Sequence, residues 1–293
     1  MIPESRHLHQ NTAADRLSSR LRTLFYNPAQ TWEPTEHRNI DMDINFTAIL
    51  LLSAAGFFAG IINTLAGGGS NLTLPALMVL GLPADIANGT NRVAIVLQCI
   101  VGVKGFDKHN ALDRPAIGPI LVPTIMGGLV GALGATAIPA IHLKPILLSM
   151  ILVMSAVILV RPSTLAPEEG TPVLSPSKSN KGWWSLFVAG VYGGFVQAGV
   201  GFILLAVLAG VLRYDLKRAN ALKMACTLAF TGVSLIIFAL FDQVAWIPGL
   251  IMAGGSMAGA SLAVKFAVKA SQNTIKWFLF LITLLAVVAG FIS

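Results

Sequence analysis

The sequence has little charge and few cysteines, and both shortages restrict the class of protein. Only 11% of its 293 residues are charged, against roughly 25% in soluble domains, while 55% are hydrophobic and the mean hydropathy is +0.75. This composition is typical of an integral membrane protein. Cys99 and Cys226 stand alone within apolar stretches, so neither a disulfide framework nor a cysteine metal motif is available.

Groups that would support catalysis or ATP use are also missing from the apolar body. It has no paired carboxylates, no Cys-His pair and no metal-ligand spacing, and the five histidines lie in the amino-terminal tail or at predicted helix ends. No glycine-rich loop ends in the Gly-Lys-Ser/Thr of a phosphate-binding loop. The net charge of +7 comes mostly from short loops, where Lys and Arg orient helices. We therefore predict no enzyme, no cofactor, no metal and no nucleic-acid partner.

Long apolar segments are what the sequence does contain, and they predict an all-α polytopic membrane protein embedded in a lipid bilayer. Each is near the roughly 20 residues that span a bilayer, and none alternates as a transmembrane β-strand does. No basic-then-apolar signal peptide precedes them. About eight segments can be identified, at 46–65, 84–103, 116–138, 145–160, 184–212 (broken), 219–241, 246–264 and 275–292.

Polar stretches divide the chain. Residues 1–45 form a polar tail, and either Met1 or Met42 is the natural start. Residues 162–182 are rich in Pro, Ser, Glu and Lys and predict a solvated linker. This linker separates a first transmembrane repeat at 46–161 from a second at 183–293.

The chain matches itself at an offset of 132 residues, which indicates an internal repeat. Without a gap, Gly67 falls on Gly199 and Asn88 falls on Asn220. We predict that each repeat has a glycine-broken or re-entrant helix. The same register pairs Gly69 with Gly201, Gly127 with Gly259 and Lys144 with Lys276.

Loop charges indicate how the two repeats are oriented. The loop after the second helix carries Lys104, Lys108 and Arg114, whereas its counterpart around Asp242 has no Lys or Arg. Because cytoplasmic loops collect these residues, equivalent loops face opposite sides, and we predict an inverted repeat. Each broken segment is then a re-entrant hairpin. The alternative is eight full crossings with a cytoplasmic amino terminus, which accounts better for the Arg-rich tail.

Two glycine breaks and two polar clusters supply the candidate binding residues. In hydrocarbon a broken helix survives only inside protein or beside a water-filled cavity, and such breaks indicate a transport site. Free N–H groups at half-helix starts, amide side chains and buried cations all attract an anion. The predicted residues are Gly67, Gly68, Gly69, Ser70, Thr90, Asn91, Arg92, Gln197, Gly199, Gly201, Asn220 and Lys223, with Asn63 and Gln98 as weaker amide candidates.

Structural roles compete with each of these assignments. Close packing is the alternative for the glycines, and helix capping is the alternative for Thr90 and the asparagines. Snorkelling or cytoplasmic orientation is the alternative for Arg92 and Lys223. GxxxG-like spacings at Gly127 to Gly131 and Gly255 to Gly259 predict packing seams between helices.

Short motifs recur around the glycine breaks and polar clusters of both repeats. In the first repeat they are Ala66-Gly67-Gly68-Gly69-Ser70, Leu74-Pro75-Ala76-Leu77, Leu80-Gly81-Leu82-Pro83 and Ala87-Asn88-Gly89-Thr90-Asn91. In the second repeat they are Gln197-Ala198-Gly199-Val200-Gly201 and Arg218-Ala219-Asn220-Ala221-Leu222-Lys223. These motifs resemble those of the sulfite exporter TauE/SafE family. The similarity covers roughly residues 46–293, while Ser70-Asn71 and the long tail depart from the commonest pattern.

The resemblance implies a multi-pass transporter of the cytoplasmic membrane that moves sulfite or a related sulfur-containing anion, usually outward. We therefore predict a secondary exporter that uses alternating access at a site between the two repeats. One alternative is an importer or proton symporter of organic sulfonates or carboxylates. Another is a membrane-embedded enzyme or assembly partner in sulfur metabolism. The sequence does not determine the oligomeric state, and a homodimer is one option.

Overall fold

The computed structural model describes residues 44–160 and 172–269, and these ranges are almost entirely helical, with no β-strand. A 3-10 turn at Pro176–Lys178 follows the gap. In chain order the helices are α1 (Phe46–Leu65), α2 (Ser70–Val79), α3 (Ala84–Lys108), α4 (Arg114–Thr136), α5 (Ala140–Val160), α6 (Asn180–Phe195), α7 (Val200–Leu205), α8 (Leu216–Leu240) and α9 (Trp246–Lys269). A π-helical stretch, Ala206–Val211, continues α7.

Five of these helices, α1, α3, α4, α8 and α9, are long and apolar enough to cross a membrane. This finding confirms the prediction of an all-α membrane protein with several apolar helices. The predicted segment at 184–212 is broken, as expected, between α6 and α7. Residues 1–43 with Met42, residues 162–171 of the predicted linker and the segment at 275–292 lie outside the described residues.

Two short helices fold back on the helices that precede them. The chain reverses at residues 66–69, and Leu52 of α1 shares an apolar cluster with Leu77 of α2. In the second half, Leu212 lies against Gly182 near the start of α6. The pairs α1–α2 and α6–α7 are therefore antiparallel hairpins, and each enters and leaves on one side.

Two long helices at the centre run in opposite directions. Gly102, near the end of α3, lies against Met224, near the start of α8. Gly89, near the start of α3, lies against Phe238, near the end of α8. The sequence numbers rise in opposite senses along this contact, so α3 and α8 are antiparallel.

Small residues form two close helix seams, as the GxxxG-like spacings predict. Gly127 of α4 meets the backbone of Phe187, and Gly255 of α9 meets the backbone of Ser53. Sequence numbers rise together along both seams, so α1 is parallel to α9 and α4 is parallel to α6. The other close pairs are Gly56 with Met252, Gly60 with Ser256, Gly190 with Thr124 and Gly194 with Gly128.

The two hairpins enter from opposite sides of the helix bundle. Helix α9 also runs with α3, because Gly249 lies against Val93 and Gly105 lies against Val264. Therefore α1 and α3 begin on the same side, and the α1–α2 hairpin enters there. Helix α4 returns from the end of α3 after a short loop, and α6 runs with α4. The α6–α7 hairpin thus enters from the side where α3 ends.

The polar clusters at 88–92 and 220–223 lie inside their helices rather than at the helix starts. Helix α3 begins at Ala84, directly after Pro83. Helix α8 is capped by the Asp215 carboxylate, which accepts a backbone hydrogen bond. Helix capping at these starts therefore does not account for the polar clusters.

Candidate functional site

The tips of the two hairpins meet backbone to backbone at Gly67 and Gly201, a contact that we call the tip junction. The Gly201 N–H donates to the Gly67 carbonyl at 3.1 Å. A side chain on either glycine would overlap the backbone of the other, and Gly67 has a φ of 96°. Only glycine allows this approach at a left-handed position. The structure thus brings the two predicted glycine breaks together.

Arg92 is fully buried beside the second hairpin and holds the end of α6. Its Nη1 donates to the Gly193 carbonyl at 2.5 Å and to Gln197 Oε1. Its Nη2 donates to the Gly194 carbonyl at 3.0 Å and to Asn88 Oδ1 at 3.1 Å. The last carbonyls of a helix have no partner within the helix and carry the negative end of its dipole. Arg92 therefore caps α6 from α3.

Lys223 is equally buried and caps the first hairpin in the same way. Its Nζ donates to the carbonyls of Asn63 and Thr64, both at 2.9 Å, and to Asn220 Oδ1 at 2.8 Å. The first two acceptors lie at the end of α1. Each half of the chain thus provides one cationic side chain that caps the hairpin of the other half, and we call this arrangement crossed capping.

Four buried side-chain nitrogen donors of the described residues have no hydrogen-bond partner, and three of them are on Arg92 or on the amides that contact the two cations. They are Arg92 Nε, Gln197 Nε2, Asn220 Nδ2 and Gln98 Nε2. The two amides next to the cations are oriented by them, because Gln197 and Asn220 each accept from a cation through oxygen and leave nitrogen free. No Asp or Glu residue is fully buried within the described ranges, although one carboxylate oxygen, Asp85 Oδ1 in the first turn of α3, is buried without a partner. An excess of buried donors and positive charge suits an anion.

Gln197 has a strained backbone as well as a free donor. Its φ is 70°, a value that non-glycine residues rarely adopt. Its Oε1 is held by Arg92 and also accepts from Thr231 at 3.2 Å. Strain of this kind persists where the surroundings enforce it, and it clusters at binding sites.

Three other predicted site residues are occupied by contacts between helices. Asn91 accepts from Thr73 at 2.7 Å and donates to Ser70 at 3.2 Å, which fastens α2 to α3. Thr90 accepts from the backbone N–H of Ala245 at 2.9 Å, just before α9 begins. These side chains hold helices together and do not join the unpartnered donors.

The remaining predicted glycines serve close packing. A side chain on Gly68 would meet the ring of Phe202, and one on Gly69 would meet the backbone of α1. Gly199 has a φ of 70° and lies against Met154. The packing alternative therefore describes the contacts of these glycines.

The sequence did not single out two residues of the Arg92 group. Asn88 supplies an acceptor to Arg92 and donates to the Phe195 carbonyl at 2.8 Å. Its match with Asn220 at the repeat offset was a usable signal. Thr231, which contacts Gln197, lies in an apolar stretch that gives no such signal.

Asn91→Ala is expected to lower the free energy of unfolding by about 1–3 kcal/mol, because Thr73 and Ser70 lose their buried partner. Thermal unfolding of the detergent-purified protein measures this loss. Asn71→Ala is the matched control, since Asn71 lies on α2 and its side-chain oxygen has no partner. Equal losses in the two variants would contradict the fastening role of Asn91.

The chain is similar in sequence to known membrane transporters. The family model described as Sulfite exporter TauE/SafE matches residues 52–290. A probable membrane transporter protein of Haemophilus influenzae is 29% identical over 238 residues, which are 80% of this chain and 91% of the relative. These names agree with the prediction that the chain is not an enzyme.

Two further relatives carry similar names. The probable membrane transporter protein ORF9 of a Sinorhizobium species is 24% identical and covers 83% of this chain and 92% of the relative. The probable membrane transporter protein YfcA of Escherichia coli K12 is 23% identical and covers 77% of this chain and 83% of the relative. No solved structure matches the chain.

Proposed function

Because the chain belongs to the sulfite exporter TauE/SafE family of membrane transporters, we propose that it exports sulfite or a related sulfur-containing anion across the cytoplasmic membrane. The anion would bind next to the tip junction, between the two halves of the chain. The observation that carries this proposal is the set of unpartnered donors on Arg92, Gln197 and Asn220, buried with two cations whose hydrogen-bond partners include no carboxylate.

The chemistry of these donors supports a small oxyanion as the substrate. Sulfite and sulfonates present several acceptor oxygens within a few ångströms and carry negative charge. The donors are amide and guanidinium N–H groups, which match such acceptors. A cation inside the membrane is costly unless it faces a partner, and a bound anion would offset the uncompensated charge of Arg92 and Lys223.

The arrangement of the helices supports an inverted repeat with alternating access. The bounds of α3, Ala84–Lys108, become those of α8, Leu216–Leu240, on adding the offset of 132 residues. These two helices are antiparallel, and the two hairpins enter from opposite sides. In transporters with inverted repeats, one half rocks against the other around a central site. The tip junction would be that centre.

The distribution of basic residues supports an orientation in the membrane. The side where α3 ends is rich in Lys and Arg, whereas the opposite side has only Lys144 among the described residues. By the positive-inside rule, the side where α3 ends is cytoplasmic. The basic residues on that side are Lys104, Lys108, Arg114, Lys181, Arg213, Lys217, Arg218, Lys265 and Lys269.

The membrane potential alone would drive export. An inside-negative potential favours outward movement of an anion by about 2.3 kcal/mol per charge per 100 mV. Proton relays need titratable groups such as Asp, Glu or His within the membrane. No Asp, Glu or His residue is fully buried in the part of the chain that the structure describes. Asp85 has one buried oxygen but lies in the first turn of α3 rather than near its centre, and this distribution supports export without proton coupling.

The test is sulfite efflux from proteoliposomes under an imposed potential, comparing the wild type with Gln197→Glu. The variant keeps the side-chain oxygen that accepts from Arg92 and Thr231. It replaces the free Nε2 donor with a second oxygen and adds a negative charge beside Arg92. We expect efflux to fall by at least about tenfold, which corresponds to about 1.4 kcal/mol of lost anion binding.

Asn110→Asp is the control, because it makes the same amide-to-carboxylate change at an exposed position in the loop between α3 and α4. It should export sulfite at the wild-type rate. Wild-type efflux by Gln197→Glu would place the anion elsewhere. Failure of the wild-type protein to move sulfite, with movement of an organic sulfonate instead, would keep the site and change the substrate.

A further inference from the structure

The surroundings of the Lys223 ammonium resemble a site for a free cation. Its three acceptors lie at 2.8 to 2.9 Å and are all uncharged oxygens. Two are the backbone carbonyls of Asn63 and Thr64 at the end of α1, and the third is the amide oxygen of Asn220. Thr64 also carries a buried hydroxyl oxygen that has no partner.

Oxygen atoms of these types coordinate monovalent cations in membrane transporters. Where a membrane helix is broken, the carbonyls at the carboxyl end of the half-helix coordinate the coupling ion. Neutral carbonyl and amide oxygens suit hard cations. The negative end of the α1 dipole adds attraction. Lys223 therefore supplies a single positive charge where transporters with a broken helix bind a dissolved ion.

Arg92 caps the other hairpin but does not occupy a site of the kind that binds a dissolved monovalent ion. Its guanidinium is planar and spreads its donors over the Gly193 and Gly194 carbonyls and two side chains. A small spherical cation cannot replace such a fork. The two ends of the crossed capping thus differ in chemistry, which makes Arg92 a control for Lys223.

We propose that the Lys223 ammonium fills a monovalent-cation site at the end of α1 and acts as a tethered counter-cation. The first hairpin is then held in place without any dissolved coupling ion. Removing the side chain opens a site that takes up ammonium or an alkali-metal ion. This inference goes beyond the proposed function and does not depend on which solute is transported.

Thermal unfolding of detergent-purified Lys223→Ala in choline chloride, titrated with ammonium chloride at constant ionic strength, tests the proposal. A ligand that binds only the folded state raises the unfolding temperature in a concentration-dependent way. We expect ammonium to reverse, in a saturable way, about half or more of the decrease in unfolding temperature that the substitution causes. Potassium should act more weakly, and tetramethylammonium, which is too large for the site, should have no effect.

Wild type and Arg92→Ala serve as controls, and neither should respond to ammonium. An equal response in Arg92→Ala, or an equal effect of tetramethylammonium, would overturn the proposal. If Lys223→Ala cannot be purified in choline, it should become purifiable in ammonium. Asn220→Asp combined with Lys223→Ala, which adds a carboxylate to the site, should bind ammonium more tightly. Failure of both variants to fold in ammonium would also overturn the proposal.

Discussion

Arg92→Ala is expected to cause the largest combined loss of stability and transport of any single substitution in the described helices. It removes the donor to the carbonyls of Gly193 and Gly194 and to the side-chain oxygens of Gln197 and Asn88. Each buried acceptor left unpaired costs about 1–3 kcal/mol, so the total should exceed about 3 kcal/mol. Thermal unfolding measures the stability, and anion flux in proteoliposomes should fall to that of empty vesicles.

Arg92→Lys separates charge from geometry. A lysine keeps the positive charge but loses the planar fork that reaches several acceptors. We expect it to recover part of the stability while Gln197 stays poorly held, so that flux remains well below that of the wild type. An Arg92→Ala protein that unfolds and transports like the wild type would contradict both the capping role and the site.

The second large effect is expected at the tip junction. Gly201→Ala should lower stability by about 1–3 kcal/mol through overpacking against Gly67. Gly67→Ala should lose more, because its left-handed backbone adds about 1–2 kcal/mol for any residue with a side chain. Both variants should lose flux per folded molecule, since the hairpin tips can no longer touch. Unfolding temperature and proteoliposome flux, normalised to folded protein, measure the two effects.

Gly81→Ala is the matched control for these two substitutions. Gly81 has the same φ as Gly67, 96°, but nothing lies where its side chain would extend. The variant should therefore lose only about 1–2 kcal/mol and keep wild-type flux. If Gly81→Ala lost flux as severely as Gly67→Ala, backbone strain rather than the tip junction would explain both results.

The sequence predicts the broken helices well because their causes are local. Gly67 and Gly199 both have positive φ, and each interrupts an apolar run in a way that a continuous membrane helix does not. The basic loop at Lys104 to Arg114 is equally readable from composition. Features that depend on a few neighbouring residues can thus be predicted from the sequence directly.

The partners of the two cations could not be predicted in this way. Arg92 binds carbonyls of Gly193 and Gly194, which are more than 100 residues away in the sequence. A backbone carbonyl has no side-chain identity, so no motif marks it as an acceptor. The positions of these carbonyls depend on how α6 packs against α4, and only the folded chain contains that information.

The fate of the polar clusters shows a second limit. A buried amide or hydroxyl in an apolar helix can bind a ligand or hold a neighbouring helix, and both uses require the same residue types. Gln197 and Asn220 keep free donors, whereas Asn91 and Thr90 are taken by contacts between helices. The choice between these uses depends on which atoms face which neighbours.

Crossed capping also has a consequence for how the protein is made. Arg92 is synthesised 101 residues before its partner Gly193, and Asn63 is synthesised 160 residues before its partner Lys223. Until the second half is inserted, the first half holds a lone cation and bare carbonyls in the membrane, and both are costly there. The nascent amino-terminal half therefore matures only when translation of its counterpart is well advanced.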